Sequence, residues 1–214
     1  MNTRQAYELW AATYPPIAHN PVMRAEQSTV EPLLRRVQAR RALDVGTGSG
    51  RYLPILSASG AAVVGLDFSW AMLSMCRHRR VCGDARRLPF HGESFDLINA
   101  SLIVGDLADL CGWASEISRV LQPGGHVIYS DFHPVWGEYG WRRTFTAANG
   151  ERHEVAIEAH TIGQHITALA GAGLTVRTIR EPHLLAERDR AVETFRKRWG
   201  DPPLLVVVHA SKEP

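Results

Sequence analysis

Residues 43–50, Leu-Asp-Val-Gly-Thr-Gly-Ser-Gly, carry a short apolar run into a carboxylate and then into three alternating glycines. Glycine has no Cβ, so the backbone there can turn sharply and come close to a ligand. Placed between a strand and a helix, such a bend makes a nucleotide cradle at the carboxyl edge of an α/β sheet. The spacing narrows the choice of nucleotide. A dinucleotide fingerprint runs G-x-G-x-x-G. Gly46 and Gly48 fit it, but Arg51 occupies the third place, and the last glycine is Gly50.

The 214 residues suffice for one domain, 1–214, with a real core. A hydrophobic content of 45% and a charged content of 21% are ordinary for a soluble globular chain. No apolar run is long enough to span a bilayer. The start, Met1-Asn2-Thr3-Arg4-Gln5, lacks the basic-then-apolar pattern of a secretory leader. A cytoplasmic protein without a membrane partner is expected. Cys76, Cys82 and Cys111 form no C-x-x-C pair, which suits free thiols in a reducing compartment. The net charge of +2 argues against a nucleic-acid partner. The basic runs 77–80 and 196–198 read as solvated helix ends or faces.

Apolar runs alternate with helix-like stretches, the pattern of a βαβ chain with a mostly parallel sheet. Strands are expected over 41–45, 62–67, 81–84, 95–101, 126–132, 174–180 and 204–209. Helices are expected over 51–59, 69–79, 109–121, 161–171 and 188–199. Pro123-Gly124-Gly125 closes the third of these, because proline cannot continue a helix and glycine caps it. Asn149-Gly150 between alternating runs signals a hairpin within 133–160. Residues 1–40 read as helices around Tyr14-Pro15-Pro16.

The tight G-x-G-x-G resembles the first motif of the class I S-adenosylmethionine (SAM)-dependent methyltransferases. Val63-Val-Gly-Leu-Asp-Phe-Ser69 resembles their second motif and Gly83-Asp84-Ala85 their third. Leu88-Pro-Phe90 followed by Phe95-Asp96 fits L-P-F-x-x-x-x-F-D, and Leu121-Gln-Pro-Gly-Gly125 fits the stretch beyond. Tyr7-Glu-Leu-Trp-Ala-Ala-Thr-Tyr14 resembles the lid Y-x-x-W-A-x-x-Y of the branch holding ubiquinone/menaquinone-type and malonyl-carrier-protein-type enzymes.

The resemblance implies a Rossmann-like, seven-stranded, mostly parallel sheet with helices on both faces, a terminal antiparallel strand and an added hairpin. It also implies SAM as cofactor and S-adenosylhomocysteine as product. A ribose diol wants a bidentate acceptor, and the resemblance gives that role to Asp67; the alternative is that Asp67 only caps the helix starting at Ser69. Phe68 and Met72 would line adenine, Asp84 would accept its amine, and Ala85 would present a backbone N–H. Gly46, Thr47 and Gly48 would hold the amino-acid end, with Asp44 either accepting from its ammonium or anchoring the glycine loop. Ala100 and Ser101 would flank the reacting methyl, or merely pack at a strand end. Tyr14 is the lid residue best placed against a sulfonium.

Methyl transfer from sulfonium is an in-line displacement, so a base is needed only where the nucleophile must lose a proton. His133, following the fifth strand, is the expected base; Asp131, His153, His160 and His165 are the other candidates. Trp136, Tyr139 and His160 are expected on the substrate side, with Trp141 as a further wall. No metal set appears: Ile157 stands where His153-Glu154 would need a second histidine. The expected reaction is methylation of O or N on a small molecule. An NAD(P) oxidoreductase is the rival, disfavoured by Arg51 and by the lack of a Tyr-x-x-x-Lys; a non-catalytic SAM-binding module is the third reading.

Overall fold

In β1 (Arg41–Val45), every residue after the first is buried, as befits a strand covered on both faces. It pairs in parallel with β2 (Ala62–Asp67) on one side and β4 (Phe95–Ser101) on the other. The computed structural model describes residues 1–184 and 190–214. Its main sheet runs β3-β2-β1-β4-β5-β9-β8, with β3 at Arg80–Cys82, β5 at Leu121–Phe132, β8 at Leu174–Arg180 and β9 at Leu205–Lys212. Only β9 runs antiparallel to its neighbours. This is the seven-stranded sheet that the sequence implied. A separate two-stranded ribbon pairs β6 (Arg143–Thr146) with β7 (Arg152–Val155). No described helix is long and apolar enough to cross a membrane.

Side chains alternate across the sheet, so its two faces carry separate cores. On one face Leu43, Ile98, Ala100 and Tyr129 pack against Trp113 and Ile117 of α5 (Leu110–Val120) and Leu169 of α7 (Ile162–Gly171). On the other, Ala42, Leu97 and Ile128 meet Val30 and Leu33 of α2 (Pro21–Leu34) and Leu56 of α3 (Leu53–Ser57). The helices start where short polar side chains can take orphan N–H groups. Asn20 caps α2, Asp109 caps α5, and Thr161 with Gln164 forms a capping box on α7.

Several expected bounds shift, two of them by four residues or more. The helix after β2, α4 (Trp70–Met75), stops four residues short of the expected Arg79. The reason is that the Arg79 carbonyl accepts the Gly65 N–H at 2.9 Å, committing the chain to the sheet edge. The basic run 77–80 is therefore a connection into β3 rather than a helix end. Strand β5 begins at Leu121, directly after α5, and Gly124 takes φ +73° within it. The last helix, α8 (Arg190–Trp199), fits the expected one; its expected start at Arg188 lies outside the described residues.

The chain before the sheet folds over the carboxyl ends of the strands. Asn2 caps α1 (Thr3–Trp10), and Glu8 on that helix accepts the Trp70 N–H at 2.8 Å, satisfying the start of α4. The Asn-Gly hairpin forms as expected. Its Phe145 ring stacks on Trp10 at 4.9 Å, so α1 and the ribbon share a small core with Ala6 and Val155. After β5, α6 (Val135–Glu138) carries Trp136 into a third core with Leu184, Val192, Leu204 and Leu205.

Candidate active site

The β1 tip sets the geometry. Asp44 is buried, and its carboxylate accepts the Thr47 hydroxyl at 2.6 Å and the Asn99 amide at 2.7 Å. Asn99 stands opposite Asp44 in the β1–β4 register, so a strand-to-strand pair braces the loop. Burial pushes the Asp44 carboxyl up to about 6, against the lowering effect of those two bonds. The glycines then do what side chains could not. Gly46, Gly48 and Gly50 have φ of +69°, +54° and +89°. A Cβ on Gly46 would lie 2.1 Å from Ile103 Cγ2, whereas one on Gly48 would have no protein atom within 4 Å.

Asp67 ends β2 beside this loop. Its Oδ2 accepts the Gly48 N–H at 2.8 Å and its Oδ1 the Ser69 N–H at 2.9 Å. Burial raises this carboxyl to about 6, opposed by the Ser69 and Gly48 bonds. An ionised carboxylate has about four lone-pair sites, so two remain for hydroxyls.

These groups border a cavity of about 1740 Å³ over the strand ends. Its lining includes Tyr14, Asp44, Gly46, Thr47, Gly48, Asp67, Phe68, Met72, Asp84, Ala85 and Ser101, eleven residues the sequence singled out. The structure thus brings the three motifs together around one space. The Asp84 carboxylate is held by Arg86, whose Nη2 is 2.6 Å from Oδ2; that guanidinium keeps the carboxyl below its ordinary value. Tyr14 meets Trp10 edge-on at 5.1 Å, and burial raises its phenol.

Other expected residues lie elsewhere, each for a physical reason. Ala100 is fully buried in the α5/α7 core, since strand alternation that turns Ser101 to the cavity turns Ala100 away. His133 is not part of the lining: its N–H bonds the Leu204 carbonyl, its Nδ1 accepts the Val135 N–H, and its Nε2 lies 2.9 Å from Glu181. His160 is buried with Nε2 2.8 Å from the Leu107 carbonyl. Trp136 is buried behind the cavity wall, its indole N–H donated to the Leu204 carbonyl at 2.8 Å. Tyr139 packs on Trp199 at 5.4 Å, outside the lining. His153 packs beside Phe145, and Asp131 and His165 are buried behind the turn at Val104–Asp106.

Comparison with known proteins decides the family. The methyltransferase domain profile matches residues 43–129. A demethylmenaquinone methyltransferase of Mycobacterium sp. (strain KMS) is 41% identical over 180 residues, covering 81% of this chain and 76% of that protein. The chain belongs to the class I SAM-dependent methyltransferases. Its match to the biotin biosynthesis bifunctional protein BioHC of Cellvibrio japonicus is 34% identical over 61% of this chain but spans only 27% of that protein. Among solved structures, the N-methyltransferase NodS of Bradyrhizobium japonicum, in complex with S-adenosylhomocysteine, superposes with TM-score 0.71 at 17% identity over 100% of both chains. A SAM-dependent methyltransferase of Mesorhizobium loti gives 0.65 at 23% identity, covering 85% of this chain and 96% of that one. These likenesses show the same fold, and the dinucleotide rival falls away.

The methyltransferase's own residues fit SAM. The space a Cβ on Gly48 would take, the spare lone pairs of Asp67 and the aromatic lid of Tyr7, Trp10 and Tyr14 match an amino-acid tail, a ribose and a sulfonium in turn.

Several wall residues carry no sequence signal of their own. Arg51 pairs with the fully buried Glu26 at 2.8 Å, and Glu26 also accepts the Tyr52 hydroxyl at 2.7 Å and the Ser130 hydroxyl at 2.8 Å. Asp106, beyond β4, takes the Tyr7 hydroxyl at 2.9 Å and an ion pair from Arg143, tying lid to ribbon. His19 lines the cavity with its ring 5.5 Å from Tyr14. Adjacency of such pairs only in space hides them from a linear reading.

Proposed function

We propose that this methyltransferase moves a methyl group to an oxygen or nitrogen of a small molecule seated against Phe132, Trp141, Phe195 and Trp199. One observation carries the reading: a single cavity runs from Gly48 and Asp67 to those four rings, so donor and acceptor share one walled space. Relatives named as demethylmenaquinone methyltransferases support a small-molecule rather than a macromolecular acceptor. Bound SAM supplies an electrophilic methyl on a sulfonium. The protein's part is then to fix the attack line and keep water out.

The residues divide that work. Asp67 and the glycine loop hold the donor. Tyr7, Trp10 and Tyr14 close over it, with Tyr7 locked by Asp106 and Arg143. His19 takes the proton. Its Nδ1 lies 3.2 Å from the Ile17 carbonyl, so an N–H there makes Nε2 the acceptor, and the Asn20 amide nitrogen 3.4 Å from Nε2 must give way to the incoming proton.

Incubation with methyl-labelled SAM and a panel of small phenols, hydroxy acids and amines tests the reading. The expected product carries the label on O or N, located by mass and NMR. Labelling only at carbon, or only on macromolecules, contradicts it.

A further inference from the structure

Seven arginines and four aspartates line the cavity, with no lysine or glutamate among the lining residues. Arg51, Arg86 and Arg143 are each answered by a carboxylate, those of Glu26, Asp84 and Asp106. Arg198, at the end of α8, has no ion pair among the described residues. Arg198 is exposed, and its guanidinium carbon lies 4.6 Å from the centroid of the Trp199 ring, a contact that orients the fork. Phe195, Arg198 and Trp199 line the main cavity and also a shallow depression of about 530 Å³ that adds Arg190 and Thr194. Arg198 therefore stands at the rim of the aromatic half of the cavity, with a second arginine beyond it.

The rings beside it are held rigidly. Trp136 lies 5.6 Å from Trp141, 5.3 Å from Phe195 and 6.4 Å from Trp199, and its bond to Leu204 anchors the set. A flat ring laid against this wall pushes water off the Arg198 guanidinium. Desolvating a cation with no counter-charge is costly, and a carboxylate that answers the guanidinium fork in two parallel bonds reverses that cost.

We propose, resting on the acceptor position given above, that the acceptor is a flat aromatic ring bearing an anionic group. Phe132, Trp141, Phe195 and Trp199 hold the ring, and Arg198 takes the anion.

The test uses the full chain saturated with S-adenosylhomocysteine, titrated by calorimetry with 2-naphthoate and with its neutral isostere 2-naphthamide. Wild type is expected to bind naphthoate at least about tenfold more tightly, the worth of one charge-assisted contact. Arg198→Ala should bring the two probes to within about threefold, and Arg198→Lys should keep part of the preference because the charge stays and the fork is lost. Affinity for S-adenosylhomocysteine should stay unchanged in both variants, which also shows that they fold. Equal binding of the two probes by wild type, or a preference that survives Arg198→Ala, overturns the charge assignment and leaves the acceptor position standing. Failure of both probes on protein that still binds S-adenosylhomocysteine overturns both.

Discussion

Gly48 donates its backbone N–H to Asp67 Oδ2 across 2.8 Å, so the tip of β2 holds the loop that leaves β1. The same carboxylate turns its other oxygen to the Ser69 N–H. Holding the Ser69 N–H does not exclude the proposed ribose contact, because the carboxylate has acceptor sites to spare. The residue before Gly48 is fixed as well, because the Thr47 N–H bonds the Leu66 carbonyl at 2.9 Å. A loop pinned to β2 at two consecutive residues loses little entropy on binding.

Gly48→Ala and Gly46→Ala should part stability from binding. Left-handed backbone costs an alanine about 1–2 kcal/mol, and at Gly48 no further clash exists. Its melting temperature should fall modestly, while SAM affinity falls by about tenfold or more as the methyl enters the cavity. Gly46→Ala meets Ile103 and should lose more stability. Thermal melts beside calorimetry check this; unaltered SAM affinity in folded Gly48→Ala would remove the loop from the donor wall.

Glu26→Ala should be the most destabilising of these changes. It strands the Arg51 guanidinium, 11% exposed, and leaves two buried hydroxyls unanswered. Breaking a buried pair from one side costs about 3–5 kcal/mol. Urea denaturation measures it, and a loss under about 1 kcal/mol would show that water reaches this network.

His19→Ala should lower kcat with SAM affinity preserved. His133→Ala should leave turnover near normal, because its ring faces Glu181 rather than the cavity. The opposite outcome for the two variants contradicts the assignment of the base.

Stability should fall between about pH 6.5 and 8, and Asp131 is the cause. Burial raises its carboxyl to about 8, far above the unfolded value near 3.9. A raised folded value means the native state holds the proton more tightly, so stability is full below the unfolded value and is lost as pH climbs to 8. Below about 6.5 His165 works the other way. Its Nε2 lies 3.6 Å from Asp131, and burial, then His160, lowers it to about 4. Above 6.5 Asp131 acts alone of the pair, at up to about 1.4 kcal/mol per pH unit. Asp131→Asn should flatten that limb in urea titrations run across the range; an unchanged slope contradicts the burial argument.

Local chemistry made much of this legible. The glycines, Asp67 and the apolar strands announce themselves within a few residues, and the caps at Asn20, Ser69 and Thr161 follow from side-chain type. Partners distant in sequence were hidden. Asn99 matters because the register sets it against Asp44, and Arg51 because α2 delivers Glu26 from 25 residues away. His133 misled because a residue just after a strand usually points into the crevice; here its N–H is committed to Leu204. Trp136 and Tyr139 lie in the expected segment but behind its wall, since α6 turns Trp136 into the core.

Calorimetric titration of SAM into wild type and Asp67→Ala at pH 7.5, with wild type repeated at pH 5, tests the donor site most directly. Wild type should bind at pH 7.5 and weaken as its carboxyl, at about 6, takes a proton. Asp67→Ala should bind about 10- to 100-fold more weakly, the worth of about 1.5–3 kcal/mol of charge-assisted bonds. Equal affinity in the variant, with no weakening at pH 5 in wild type, would contradict the account.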